Sequence, residues 1–200
     1  MIIKSDSAND IKRVLVPVAN GSEDLETAAI VDILRRAGAE VTLASVNVIT
    51  ITGSRGIRIL CDKSISACLA TEFGIIVLPG GIPGSKNLRD SPELTGLLNT
   101  QVEKDRYFAG ICTAPAVVLE YHGFLAGHFA TCHPNFRHYL RDARLVDEPV
   151  VWSGNCVTAP GAGQAICFSL ALVQILFGSS KATSVAFGLG VPFEKVSQRS

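Results

Sequence analysis

The sequence predicts an α/β protein built on a mostly parallel sheet, and two observations predict it. Short apolar segments alternate with amphipathic, helix-like segments along most of the chain, and this alternation is typical of a parallel sheet covered by helices on both faces. At 200 residues, with 48% hydrophobic side chains, the chain is long enough for one domain with a large core. In such sheets the reactive loops gather at the carboxyl ends of the strands.

Turn residues bound each predicted element. Arg13 to Ala19 is an apolar run that ends at a turn-forming Asn-Gly pair, which indicates a buried strand. Ser22 is predicted to cap a helix that begins with acidic residues and stops at Gly38. Further strands are predicted at 40–46, 74–78, 107–111, 129–132, 150–153 and 156–159, a hairpin over 48–60, and helices at 92–103, 113–122 and 164–177.

Composition argues against several classes of function. Lys plus Arg and Asp plus Glu both number 18, and no basic stripe is present, so nucleic acid is not an expected partner. No apolar run approaches the ~20 residues of a membrane span, and no apolar signal peptide is visible. Most of the six cysteines lie in apolar runs, so reduced thiols in a cytoplasmic protein are expected. The sequence has no Cys-x-x-Cys, so no metal site is expected, and no cofactor is expected either.

Cys112 is the strongest candidate for a reactive residue. It lies between an apolar strand and a predicted helix, with the small residues Gly110 and Ala114 two positions away on either side. This is the spacing of a nucleophile elbow, whose tight turn requires small flanking residues. Amide groups and the dipole of the following helix are expected to lower the pKa of the thiol. The alternative is a buried structural cysteine.

Polar groups on neighbouring strand ends complete the candidate site. Gly80 and Gly81 can bring amide N–H groups close to an oxyanion, with the N–H of Thr113 as a second donor; an ordinary turn is the alternative. Glu26 is predicted to turn inward and to be partly protonated beside the sulfur, although helix capping also explains an acid there. His133 follows a short strand and is a candidate proton carrier.

These segments together resemble the ThiJ/PfpI superfamily, and within it the parkinsonism-associated protein deglycase branch. The matching segments run from about residue 12 to about residue 190 and are VPVANGSEDLE (16–26), ILRRAGAEVT (33–42), GSRG (53–56), VLPGG (77–81), GICTAP (110–115) and CHP (132–134). The resemblance implies a flavodoxin-like three-layer sandwich over 12–200, preceded by a flexible segment 1–11, and a homodimer.

The resemblance also implies roles for site residues. Cys112 matches the reactive cysteine, Glu26 the acid that hydrogen-bonds its sulfur, and His133 the histidine near the site. Gly80 and Gly81 match the backbone of the oxyanion pocket. Arg55 matches an arginine that reaches the site across the dimer interface.

The expected activity is that of a cofactor-independent, glutathione-independent glyoxalase or protein deglycase, a hydrolase or lyase of the D-lactate dehydratase type. Such an enzyme converts methylglyoxal or glyoxal, or early glycation adducts on proteins, into hydroxy acids through the cysteine and so protects against carbonyl and oxidative stress. The alternatives are a redox sensor or chaperone that acts through oxidation of Cys112 to sulfinate, and a family member with a silent pocket.

The sequence departs from patterns found in the superfamily at three places. Pro160 stands where an arginine is usual, which puts dimer contacts in doubt. Thr113 stands where the superfamily's proteases have His, and His133 is followed by Pro134 and Asn135 rather than the His-x-Glu of amidotransferases. Neither a protease nor an amidotransferase is therefore expected.

Overall fold

A computed structural model describes residues 12–199, so the predicted flexible segment 1–11 and Ser200 lie outside the described part. The strands are β1 (Arg13–Val18), β2 (Glu40–Ser45), β3 (Thr50–Thr52), β4 (Arg58–Leu60), β5 (Lys63–Ser64), β6 (Ile75–Leu78), β7 (Tyr107–Ile111), β8 (Phe129–Ala130), β9 (Arg144–Leu145), β10 (Val151–Ser153), β11 (Cys156–Ala159) and β12 (Gln198–Arg199). The α-helices are α1 (Asp24–Arg36), α2 (Gly84–Arg89), α3 (Pro92–Glu103), α4 (Ala165–Phe177) and α5 (Ser179–Leu189).

The main sheet has eight strands in the order β12-β10-β11-β7-β6-β1-β2-β5. Every pairing in it is parallel except that of β10 with β11. The predicted mostly parallel α/β sheet is therefore confirmed. β7 lies between β6 and β11, so the loops that follow these three strands emerge side by side at one edge.

Helices cover both faces of the sheet and produce two separate hydrophobic clusters. The period-2 alternation of β1 divides its side chains, with Val14 in the cluster that contains α1 and α4 and Leu15 in the cluster that contains α2 and α3. Both side chains are fully buried. Burial on both faces explains why the strands read as continuous apolar runs, and it gives the three layers of the predicted sandwich.

Several local expectations are revised. Glu23, not Ser22, caps α1, because its side chain accepts the N–H of Glu26, whereas the Ser22 hydroxyl accepts the N–H of Ala19. The predicted helix after Cys112 is a π-helix, Pro115–Glu120. α2, α5 and three short strands were not predicted. Within residues 12–199, no helix is long and apolar enough to cross a bilayer.

Candidate active site

Cys112 occupies a strained turn at the end of β7. Its φ angle is +63°, a left-handed conformation that non-glycine residues rarely adopt and that is common at functional sites. Its N–H donates to Ala159 O at 2.9 Å, and its carbonyl accepts the N–H of His133 at 2.7 Å. The residue is 8% exposed. The backbone geometry is therefore that of the predicted elbow, held from both sides by neighbouring segments.

The small residues flanking Cys112 are required by close packing. A Cβ added at Gly110 would lie 3.1 Å from Leu119 Cδ1 and 3.3 Å from the backbone N of Pro115. Ala114 is fully buried. The chain thus turns back over β7 at this point, and a larger side chain would require its neighbours to shift. A π-helical turn directly after the elbow fits the frequent occurrence of such turns at functional sites.

The amide N–H groups of Gly81 and Thr113 both face the Cys112 sulfur and lower the pKa of the thiol. The amide of Gly80 has a different partner, because it donates to Glu26 Oε2 at 2.7 Å. The predicted role of Gly80 as an oxyanion donor is therefore revised. Gly80 holds the carboxyl instead, and only its lack of a side chain permits this, since a Cβ there would lie 2.7 Å from Cys112 Cβ.

Glu26 turns inward from the first turn of α1 and is completely buried. Its Oε1 has no partner in hydrogen-bond geometry within the described chain, although the carboxyl lies near enough to the thiol for each group to shift the pKa of the other. Burial raises the pKa of Glu26 to about 7, against the lowering effect of the Gly80 N–H. This agrees with the prediction of a partly protonated carboxyl.

The prediction of a lowered thiol pKa is wrong in direction. Burial, followed by the charge of Glu26 and the contact with its carboxyl, raises the pKa of Cys112 to about 12 despite the two amide donors. In this pair the carboxyl consequently ionises first. Near neutral pH the sulfur keeps its proton, and a carboxylate lies beside it that can accept that proton.

His133 is joined to the elbow by its backbone rather than by its ring. Its N–H binds Cys112 O, and its Nδ1 accepts the N–H of Asn135 at 3.3 Å at the start of a 3-10 turn, Pro134–Tyr139. The half-buried ring leaves Nε2 as the nitrogen available for proton transfer. The described hydrogen bonds include none between this ring and the sulfur, so its role as a proton carrier stays a prediction.

Arg55 lies on the exposed turn of the β3–β4 hairpin, and within the chain its side chain has no described bond to the elbow. Asp24 anchors this turn: the buried carboxylate accepts the N–H of Arg55 at 2.7 Å and of Ile57 at 3.0 Å. The sequence analysis placed Asp24 only among the acidic residues at the start of the helix and missed this role. The only hint in the sequence was that the predicted hairpin turn contains no acceptor for these two N–H groups.

A second missed contact joins the two loops around the sulfur. The hydroxyls of Ser85, in α2, and Thr113 lie 2.7 Å apart and are both buried. Nothing in the sequence pattern pointed to Ser85, because the two positions are 28 residues apart. Of the other cysteines, Cys167 is exposed, whereas Cys61, Cys68, Cys132 and Cys156 are buried.

The DJ-1/PfpI family model matches residues 12–175. The chain belongs to the DJ-1/PfpI family. This confirms the resemblance read from the motifs. Among solved DJ-1 structures, oxidized Toxoplasma gondii DJ-1 is 40% identical with a TM-score of 0.89, covering 90% of this chain and 99% of that one.

Other DJ-1 relatives match at similar levels. The Drosophila melanogaster DJ-1beta structure is 36% identical with a TM-score of 0.87, covering 92% of this chain and all of that one. The glutathione-independent glyoxalase DJR-1.2 of Caenorhabditis elegans is 32% identical, covering 86% of this chain and 91% of that protein. Arabidopsis thaliana DJ-1 homologs A and B are 38% and 35% identical over 88% and 84% of this chain. The chain spans only 45% and 39% of their lengths.

Proposed function

We propose that this protein is a glutathione-independent glyoxalase that converts methylglyoxal or glyoxal to a hydroxy acid without a cofactor. The observation that carries the proposal is the pairing of a buried carboxyl, whose pKa is raised to about 7, with a cysteine thiol that two backbone N–H groups also face. A base with a pKa near the operating pH is the most efficient one for proton transfer. The relative named as a glyoxalase adds support.

The first step is addition of the thiol to the aldehyde. Glu26 accepts the proton of Cys112 as the sulfur bonds to the aldehyde carbon. The mechanism therefore does not need the free thiolate that the sequence led us to expect. The carbonyl oxygen becomes an oxyanion near the amide groups of Gly81 and Thr113, which stabilise it until Glu26 returns the proton. The product is a hemithioacetal on Cys112.

The second step moves hydrogen within the substrate. Glu26 removes the proton from the former aldehyde carbon and delivers it to the neighbouring carbon through an enediol. The hydroxyl proton of the hemithioacetal passes to the neighbouring carbonyl oxygen, which leaves a thioester of the hydroxy acid. Water then attacks the thioester, with His133 as the candidate proton carrier, and releases the hydroxy acid and the thiol. The aldehyde carbon is oxidised and its neighbour reduced, so no external oxidant is needed.

Purified protein incubated with methylglyoxal tests this proposal. We expect lactate to form, and we expect kcat/KM to rise with pH through about 7, as Glu26 loses its proton. Cys112→Ser should abolish turnover, and Glu26→Gln should reduce it by about 10²-fold or more and remove that inflection. Cys156→Ser, at a buried thiol in β11, is the matched control. Lactate formation by Cys112→Ser at the wild-type rate would exclude the mechanism.

We also propose that the protein is a homodimer, that it is cytoplasmic, and that glycated proteins are further substrates. Support for the dimer comes from exposed apolar side chains on and beside the β3–β4 hairpin, including Ile57 and Leu60, which are 58% and 71% exposed. An interface there would also place Arg55 against a second copy. Sedimentation tests the dimer: Leu60→Glu should yield monomers, whereas wild-type protein that remains monomeric at tens of micromolar would refute it.

A redox sensor acting through the same sulfur is the second candidate. It is favoured by Oε1 of Glu26, which has no hydrogen-bond partner among the described residues. Two equivalents of peroxide would convert the thiol to sulfenic and then sulfinic acid, and a protonated Oε1 could donate to a sulfinate oxygen. Mass spectrometry after mild peroxide treatment tests this, with exposed Cys167 as the internal comparison. Oxidation of Cys167 before Cys112 would count against the sensor.

A further inference from the structure

Two separate loops supply the amide groups that face the sulfur, so contacts between these loops must set the relative position of the two groups. The N–H of Gly81 comes from the segment after β6, and that of Thr113 comes from the turn after β7. These strands pair through their backbones up to Leu78 and Gly110, so regular sheet hydrogen bonding ends before either donor. Something beyond the sheet must set the spacing of the two N–H groups.

Ser85 contacts both loops. Its backbone N–H donates to Gly81 O at 2.8 Å, and its hydroxyl lies 2.7 Å from Thr113 Oγ1. Thr113 Oγ1 lies 3.4 Å from the same Gly81 carbonyl. Of the two possible directions, only one gives both hydroxyl protons a described acceptor: Ser85 donates to Thr113, and Thr113 donates to Gly81.

The hydrogen bond between the Ser85 and Thr113 hydroxyls is buried, and burial restricts its geometry. Ser85 is 0% exposed and Thr113 is 5% exposed, so water does not readily replace either partner. A buried hydroxyl that loses its partner carries an uncompensated desolvation cost, which favours the linked arrangement over alternatives. The two loops are thus tied at a point adjacent to both amide donors.

We propose that Ser85 is a positioning residue for the reactive cysteine, whose hydroxyl ties Thr113 to the Gly81 loop and so fixes the two amide N–H groups that face the sulfur. Ser85 itself does not touch the sulfur. The inference rests on the proposed function only in taking Cys112 as the reacting group. It assigns to the hydroxyl of Thr113 a role separate from that of its N–H.

Alkylation of Cys112 by iodoacetamide, followed by mass spectrometry across pH 6 to 10, tests the proposal without any substrate. Ser85→Ala removes the hydroxyl but keeps the backbone bond to Gly81, and Thr113→Val keeps the N–H that faces the sulfur. Each should slow alkylation about three- to tenfold and move its pH dependence upward, in keeping with the loss of one hydrogen bond. The double variant should be no slower than the slower single variant, because both substitutions break the same link.

Two controls separate positioning from general stability. Thr113→Ser retains the hydroxyl and should keep the wild-type pH profile. Ser169→Ala removes a buried hydroxyl whose bond, to Ala165 O at 2.7 Å, stays within α4. It should lower the melting temperature without changing alkylation of Cys112. An unchanged pH profile in Ser85→Ala, or losses that add in the double variant, would overturn the proposal.

If methylglyoxal turnover is absent in wild-type protein but Ser85→Ala still alters alkylation, the glyoxalase proposal fails and the positioning role stands. Turnover by wild-type protein together with unaltered alkylation in Ser85→Ala gives the opposite result. The two proposals can therefore fail separately.

Discussion

The left-handed backbone of Cys112 costs folding energy that glycine would not incur. Cys112→Gly should therefore be more stable than Cys112→Ala by about 1 kcal/mol, since a side chain at positive φ is strained. Denaturant unfolding measures the difference. At Cys156, in the extended strand β11, the order should reverse, because glycine weakens a strand interior. The same order at both positions would show that Cys112 is not strained.

Gly80 provides a second prediction for a single residue. A methyl group there would meet Cys112 Cβ at 2.7 Å and the backbone N of Thr113 at 2.9 Å, so the elbow or the Gly80 loop must move. Gly80→Ala should lower cysteine reactivity and cost about 1–3 kcal/mol, as overpacking does. Unfolding and alkylation measure both effects. Gly96→Ala, where the added methyl meets nothing within 4 Å in helix α3, should be neutral or stabilising.

For single residues, the sequence predicted which residues form the elbow better than it predicted the pKa of the thiol. The spacing of Gly110, Cys112 and Ala114 identified the elbow because the steric requirement is local. The direction of the thiol pKa was wrong because it depends on how opposing contributions balance. The amide donors are local to the site, but burial and the Glu26 charge arise from packing and outweigh them. Two adjacent glycines likewise could not reveal which amide a glutamate 54 residues away would occupy.

At the scale of elements, the Asp24 anchor makes the β3–β4 hairpin depend on helix α1. Asp24→Ala leaves the N–H groups of Arg55 and Ile57 without their acceptor. It should speed hydrogen exchange at these amides and cost about 1–3 kcal/mol. Asp32→Ala, which removes an exposed ion pair with Arg36 from the same helix, should cost below about 1 kcal/mol and leave the hairpin unaffected. Equal exchange in both variants would refute the anchor.

Strongly patterned elements were predictable and weakly patterned ones were not. α3 begins and ends as predicted, because Pro92 marks its first turn and an apolar stripe follows. α2 was missed because its short sequence, GSKNLR, has only one buried apolar residue, Leu88. α5 contains Gly188 and several serine and threonine residues, which favour turns as much as helices. The π-helix has no distinctive sequence signal.

For the whole molecule, Glu26 makes stability depend on pH. Its folded-state pKa of about 7 exceeds the ordinary value of 4.5, so the stability it confers is complete below about pH 4.5 and is lost as pH rises through 7. Glu26→Gln should therefore match wild type near pH 4 and exceed its unfolding free energy by up to about 3 kcal/mol at pH 8. Glu40→Gln, at an exposed carboxyl, is the matched control for removal of one carboxyl group. A wild-type advantage at pH 8 would contradict the buried-carboxyl account.

The two backbone bonds of Cys112, to Ala159 and from His133, restrict how the reactive group can respond to its own chemistry. The main chain on either side cannot retreat when an atom is added to the sulfur. The thiol can swing only about its Cα–Cβ bond, and the absence of a side chain at Gly80 leaves that neighbour no rotamer with which to yield. The space that the surrounding side chains and loops leave beside the sulfur therefore decides which adducts this cysteine can carry.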